Sequence, residues 1–307
     1  MLKTYGWAHL AMLVFIVFVS TSFPLGEAIA PTLDPKVLTL LRFVVAAALI
    51  GLATIATGSW QRPSWRHVGS YFLLGFMLST FFVTMFSALQ KTTAANTGAI
   101  FALIPAMTSV IAFFLLRQRP SGIQILCLLI GCAGTIIVLF GNDFAALSGL
   151  SLGPGEQIYL IGCAAYAFYA PVFRLCCRDV SPMMSNFGVL SASALMLAAY
   201  IAWEQPDIAW QAIPISTHLG ILYLAVFSTA ISVLMINYAS ARLPAGKVMS
   251  YTYLLPALVV VENMMIGKGW PGIWILAGVA ITALATLVLQ MGTTSERTNP
   301  SAAIAKG

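Results

Sequence analysis

The sequence predicts an all-α membrane protein of ten transmembrane helices in two inverted five-helix repeats. Three observations carry that prediction. The chain is 60% hydrophobic and 8% charged, with a mean hydropathy of +0.93, whereas a soluble domain carries about 25% charged residues. Its apolar residues fall into runs of the length that crosses a bilayer, roughly 20 residues. One stretch also occurs twice. Ala94-Ala95-Asn96, Leu103-Ile104-Pro105-Ala106, Val110, Arg117 and Pro120 return as Ala245-Gly246-Lys247, Leu254-Leu255-Pro256-Ala257, Val261, Lys268 and Pro271. Pro105 and Pro256 stand 151 residues apart, as do Pro120 and Pro271. Each copy is an apolar span with a central proline, a basic residue at its far end, a proline that restarts the chain, and a second apolar span. Duplicated halves in a membrane are a transporter pattern.

The expected spans are Trp7–Ala30, Pro35–Thr57, His67–Gln90, Ala94–Leu116, Gly122–Phe140, Gly155–Cys177, Pro182–Trp203, Ile215–Ser240, Gly246–Ile266 and Pro271–Met291. Turn residues separate them: Pro31, Gly58-Ser59, Pro63, Gly141-Asn142-Asp143, Gly153-Pro154-Gly155, Pro182, Pro206, Pro214, Pro244 and Pro271. The first span ends in Ala28-Ile29-Ala30, a small-residue cleavage pattern. Its apolar run is too long for a signal core and Pro31 follows directly, so it reads as a retained helix. The halves divide at residues 1–143 and 144–292, and residues 293–307 form a polar cytoplasmic tail.

Lysine and arginine set the orientation. With the N-terminus in the cytoplasm, the inner segments hold Lys3, Arg62, Arg66, Arg117, Arg119, Arg174, Arg178, Arg242, Lys247, Arg297 and Lys306. The outer loops hold only Lys36, Lys91 and Lys268. Asp34, Asp143, Glu156, Glu204 and Asp207 lean to the outside. This bias supports an even number of crossings with both termini inside. Two halves of five crossings are then inverted relative to each other.

Ser20-Thr21-Ser22-Phe23 in the first span, Leu41-Arg42-Phe43 with Ala46-Ala47 in the second, the Pro105 and Pro256 spans, and Tyr166-Ala167 running to Arg174 in the sixth resemble the drug/metabolite transporter superfamily, specifically its EamA-type exporters. The resemblance covers nearly the whole chain. It departs from the family where a Gly-Glu pair closes the fourth and ninth helices: here those ends read Arg117-Gln118-Arg119 and Gly267-Lys268-Gly269. Of the family's characterised members, the aromatic amino-acid exporter looks nearest, with Phe101 here in place of a tryptophan. The resemblance implies export of small metabolites, often amino acids, by alternating access.

The residues exclude several chemistries. No phosphate-binding loop, nucleophile elbow or zinc-protease helix occurs. His9, His67 and His218 stand singly near span edges. Cys127, Cys132, Cys163, Cys176 and Cys177 lie in apolar runs, where packing is their expected role. No cofactor, metal or nucleic acid is expected. The expected partners are a small-molecule substrate and the lipid bilayer, and monomer and dimer both stay open.

Polar and aromatic groups at mid-depth mark a cavity, because lipid offers a hydroxyl no partner. They are Ser20, Thr21 and Phe23 in the first span, Thr80 and Thr84 in the third, and Phe101 and Thr108 in the fourth. The sixth span adds Tyr166 and Tyr169, the eighth Thr229, and the ninth Thr252 and Tyr253. Each hydroxyl has a second reading, in which it bonds the preceding turn's carbonyl, and each ring a second reading as interhelical packing. Pro24, Pro105 and Pro256 remove helical hydrogen bonds and permit kinks.

Glu27, Arg42 and Glu262 are charges inside the membrane, where a charge is a functional candidate. They read as an outer gate in which Arg42 pairs with a carboxylate. Glu262 fits by depth. Glu27 is favoured by the short hairpin between the first two helices. Alternatively all three snorkel to the outer surface. The expected activity is secondary transport: export of a small metabolite, an amino acid or related compound, at the cell's inner (plasma) membrane. Uptake or exchange of a vitamin-like or quaternary-amine solute is the alternative within transport, and a non-transporting scaffold or regulator is the alternative class.

Overall fold

The computed structural model describes residues 2–117, 121–140, 152–240, 242–243, 248 and 251–295, with the side chains of 2–5, 124, 253 and 285–295 outside that description. The described residues form ten helical segments in the expected order. They are α1 (Leu2–Ser20, continuing as Ser22–Ile29), α2 (Pro35–Ala56), α3 (Trp65–Leu89), α4 (Ala94–Phe101, continuing as Ile104–Leu116) and α5 (Gly122–Phe140). The second half has α6 (Pro154–Cys176), α7 (Pro182–Glu204), α8 (Ile215–Ala225, a π-helical turn Val226–Ile231, then Ser232–Ser240), α9 (a 3₁₀ turn Tyr251–Leu254, then Leu255–Met265) and α10 (Ile273–Ser295). Seven of these are long and apolar enough to cross a membrane among the described residues, and α5, α9 and α10 contribute shorter apolar stretches. Helix α10 runs past Gly292, where the tail was expected to begin, to Ser295.

Helix starts repeat between the halves. Asp34 caps α2 by accepting from the Lys36 amide at 2.8 Å, and Ser181 caps α7 by accepting from the Met184 amide at 3.2 Å. Pro35 and Pro182 follow these caps at the first helical position, which tolerates a residue without an N–H. The two prolines are 147 residues apart, as are Pro24 and Pro171.

Packing repeats in the same way. Helix α1 lies on α8 and α9, as α6 lies on α3 and α4; α2 lies on α8, as α7 lies on α3. The pairs α2–α7, α4–α9 and α5–α10 map onto themselves. At the α5–α10 crossing a Cβ on Gly134 would meet the Gly278 carbonyl at 2.8 Å and Thr282 Cγ2 at 2.7 Å. A Cβ on Gly278 would meet the Gly134 carbonyl and Val138 Cγ2, both at 2.5 Å. Only glycine permits so close a backbone approach here. The reciprocity is what a two-fold relation between the halves requires.

Large apolar side chains such as Leu52, Phe114, Ile161, Leu195 and Ile273 are exposed on the outside of the bundle. That is unfavourable in water and suits hydrocarbon. Among the described residues the interior divides into an aromatic cluster around Phe23, Phe81, Phe101 and Tyr159, a second around Phe43, Tyr71 and Leu190, and a smaller third around Met12, Leu243 and Tyr251.

Candidate functional site

Four helices are interrupted. Pro24 has no N–H to offer the Ser20 carbonyl, and α1 breaks at Thr21. Helix α4 breaks at Ala102 and Leu103, and α9 passes from 3₁₀ to α-helix at Leu254 and Leu255. In both, the α-helix restarts one residue before the proline, at Ile104 and Leu255, which are 151 residues apart. Helix α8 holds the π-turn, in which Thr229 Oγ1 donates to the Leu224 carbonyl at 2.9 Å and Ser232 Oγ to the Phe227 carbonyl at 2.9 Å. Each hydroxyl reaches back five residues, as the wider turn demands. Such turns inside α-helices frequently mark functional sites. Helix α6 runs unbroken through Pro171.

The α8 turn faces Arg42. That side chain is 1% exposed. Its Nε donates to Thr229 Oγ1 at 2.8 Å and its Nη2 to the Ser228 carbonyl at a long 3.4 Å. The Phe82 ring lies 4.2 Å from Cζ, within cation–π distance. From Phe82 the rings continue: Phe81 at 5.0 Å, Tyr166 at 4.5 Å from Phe81, and Tyr169 stacked on Tyr166 at 5.6 Å and 7°. A second polar group sits at the α1 break. Ser20 Oγ donates to Glu262 Oε1 at 2.5 Å, the Thr21 and Tyr223 hydroxyls meet at 3.2 Å, and Thr21 and Ser228 both donate to the Phe18 carbonyl, at 2.8 and 2.5 Å. The two groups are therefore joined through Ser228.

The expected pairing of Arg42 with a carboxylate is not present. Among the described residues no carboxylate lies within 4.0 Å of Arg42. Glu27 instead pairs with Lys268 Nζ at 2.7 Å and accepts from the Ala94 amide at 2.9 Å. The physical reason lies at the start of α4: its free N–H groups and positive dipole end draw the carboxylate there. Glu262 is turned to Ser20.

The other expected residues divide. Phe23 and Phe101 are buried, 5.8 Å apart and edge to face, in the cluster that includes Tyr159. Thr80 and Thr84 donate to carbonyls of their own helix, Phe76 and Thr80, at 2.8 and 2.7 Å. Thr108 is half-buried on α4, Thr252 is half-buried in the 3₁₀ turn of α9, and the side chain of Tyr253 lies outside the described residues.

Sequence reasoning did not single out Phe82 over Arg42, Ser228 between the two polar groups, Tyr159 in the ring cluster, or Lys268 as the partner of Glu27. Tyr159, Tyr166 and Tyr169 share a helical face at a spacing of seven and three residues, a pattern available in the sequence. The π-turn left no such signal.

The EamA-like transporter family matches this chain twice, over residues 6–140 and 153–291. The chain belongs to this family. It is a multi-pass membrane transporter. Similar proteins include the uncharacterised transporter YyaM of Bacillus subtilis (strain 168), 22% identical over 84% of this chain and 86% of that one. The uncharacterised inner membrane transporter YedA of Escherichia coli (strain K12) is 25% identical over 90% of this chain and 88% of that one. A solved crystal structure of another protein shares the fold at a TM-score of 0.69, with 21% identity over 95% of this chain and 99% of that one. The double match gives this transporter the repeats on which the helix interruptions are superposed.

Proposed function

We propose that this transporter exports a small metabolite, an amino acid or related compound, by alternating access through a cavity between α1, α3, α4, α6, α8 and α9. One observation carries the reading: four interrupted helices bring freed backbone groups, hydroxyls and rings together inside the bundle. Irregular backbone inside a membrane is tolerated where protein or a wet cavity satisfies it, and broken helices form the binding sites of transporters. The lysine and arginine bias favours the inner membrane with both termini cytoplasmic, which makes the Lys36, Lys91 and Lys268 end the outer one. At that end Glu27 acts as the gate residue. It ties α1 to the start of α4 and to the loop after α9, and it must let go for the outer side to open.

Counterflow in proteoliposomes tests the function. Vesicles preloaded with each of the common amino acids are expected to take up the labelled solute in a saturable way. No saturable flux of any solute would leave a scaffold or regulator. Choline belongs in the same assay, because the Tyr166–Tyr169 stack beside Phe81 favours a quaternary-amine solute as the second reading. Choline flux without amino-acid flux would select it. For orientation, a periplasmic reporter fused after Asp143 is expected to be active and one after Lys306 silent; an active C-terminal reporter would reverse the topology.

A further inference from the structure

Arg42 is a buried cation whose hydrogen bonding is left incomplete among the described residues. A guanidinium carries five N–H donors in a planar fork and keeps its charge in a protein. Here Nε has Thr229 and Nη2 has the Ser228 carbonyl, while Nη1 is buried without a hydrogen-bond partner. Both partners that are present are neutral. Among the described residues no carboxylate forms an ion pair with Arg42. Glu27 is with Lys268 and the Ala94 amide, and Asp34 and Glu204 are with Lys36. Glu156 accepts from Thr92 and Asn96, and Glu262 accepts from Ser20 at Oε1 while its Oε2 is buried without a partner among the described residues. An uncompensated cation in the interior of a membrane protein is costly, and such residues mark substrate or ion pathways.

The surroundings show how that cation is held in position. The π-turn of α8 sets the Thr229 hydroxyl so that it donates backward to Leu224 and accepts from Arg42. Phe82 covers one face of the guanidinium plane. The fork is thereby fixed at Nε and at one face, held at Nη2 only by the long Ser228 contact, and left without a partner at Nη1 among the described residues. The ring series from Phe82 to Tyr169 runs away from the same point along α3 and α6.

We propose that Arg42 is the anion anchor of the transport site. Its Nη edge receives the carboxylate of the substrate, whose apolar body lies along the Phe81–Tyr166 rings. This rests on the transport reading above and narrows it to solutes that bear a carboxylate. Two parallel N–H···O bonds match the carboxylate's two oxygens, a geometry that a guanidinium provides and an ammonium does not. Thr229 is a positioning residue, because it touches Arg42 and not the ligand.

The test compares acids with their amides. Proteoliposomes holding the full chain are loaded with phenylalanine, leucine or threonine, and each labelled acid is competed by unlabelled acid or by its primary amide. On the wild-type protein the amides are expected to compete about tenfold or more weakly, because a site built around a charged partner rejects an analogue lacking it. In R42Q the acids are expected to weaken to the level of the amides while the amides stay unchanged, and R42K is expected to recover part of the difference. Equal competition by acid and amide in the wild type overturns the anchor and leaves the transporter standing. So does an R42Q protein that weakens both alike, since that is the mark of a residue holding only the α8 turn. Absence of flux for every probe overturns both readings together. The acid–amide comparison in the wild type needs no variant and stands even if R42Q fails to fold.

Discussion

Helix α1 packs on α8 and α2 packs on α8, just as α6 packs on α3 and α7 on α3, yet the two groups are built differently. The first is irregular and polar: α1 breaks at Thr21, α8 opens into a π-turn, and α2 turns Arg42 onto that turn. The second is regular, close-packed and aromatic. Helix α6 passes Pro171 without a break; its Gly162 lets α3 approach at Thr84, and its Gly155 lets the connection after α3 approach at Thr92. With Pro24 and Pro171 as the matched pair, those glycines correspond to Ala8 and Phe15 of α1, and Arg42 corresponds to Val189. One scaffold, used twice, thus supplies a polar wall where α1 and α2 meet α8 and a ring-bearing wall where α6 and α7 meet α3. The difference teaches that duplication gives the framework while the site comes from where the copies stopped being alike.

The strongest way to break this comparison is to make the second group resemble the first. Val189 is buried in a cluster with Tyr71, Leu74 and Leu190, and nothing there corresponds to the α8 turn. V189R would bury a charge without Thr229 or a freed carbonyl to receive it. The expected cost is about 3–5 kcal/mol, as for other uncompensated buried charges. Melting of the purified protein in detergent, and its recovery in the membrane, would report it. A V189R protein as stable as wild type would mean that the two groups are interchangeable.

A smaller effect sharpens the part that is alike. Gly134 and Gly278 oppose each other across the α5–α10 crossing, each against the other's carbonyl. G134A and G278A are each expected to lower stability by about 1–3 kcal/mol through overpacking. Because the contact is reciprocal, the two losses should be similar. G122A, whose Cβ would meet nothing within 4 Å, is the control with little effect. Unequal losses at Gly134 and Gly278 would show that the two-fold relation does not hold at this crossing.

Much of the shared framework was legible. A bilayer demands long apolar runs, so the ten segments could be read from those runs and the turn residues between them. Pro105 and Pro256 located the breaks in α4 and α9 because proline withholds an N–H wherever it stands. The site was legible in part. Depth along a helix follows from sequence, but direction around the bundle does not. Arg42, Glu27 and Glu262 could therefore be placed near one level without revealing that Arg42 turns to Thr229, Glu27 to Lys268 and Glu262 to Ser20. The π-turn was hidden for another reason: Val226-Phe227-Ser228-Thr229-Ala230-Ile231 contains neither proline nor glycine to announce it.

The smallest expected effect on stability concerns the ends of the two copies. Glu27 of α1 corresponds to Arg174 of α6, 147 residues later. Glu27 is clasped by Lys268 and the Ala94 amide, whereas Arg174 is exposed and makes no ion pair among the described residues. The Glu27 and Lys268 side chains retain 25% and 40% exposure. Such a pair is worth about 0–1 kcal/mol, reduced further by salt. E27Q keeps an oxygen that can accept from Ala94 and loses only the charge, so its melting temperature should stay close to that of wild type. If the clasp gates the outer side, the same change should still alter transport. With less to release before opening, the rate of counterflow should rise by up to a few-fold, about what 0–1 kcal/mol at a barrier allows, while the concentration for half-saturation stays unchanged. K268Q should do the same, and the double variant E27Q/K268Q should add little to either single change, because each removes the same interaction. Unaltered rates in both single variants would make Glu27 a cap for α4 and nothing more, and the asymmetry between Glu27 and Arg174 would then be a feature of folding and not of transport.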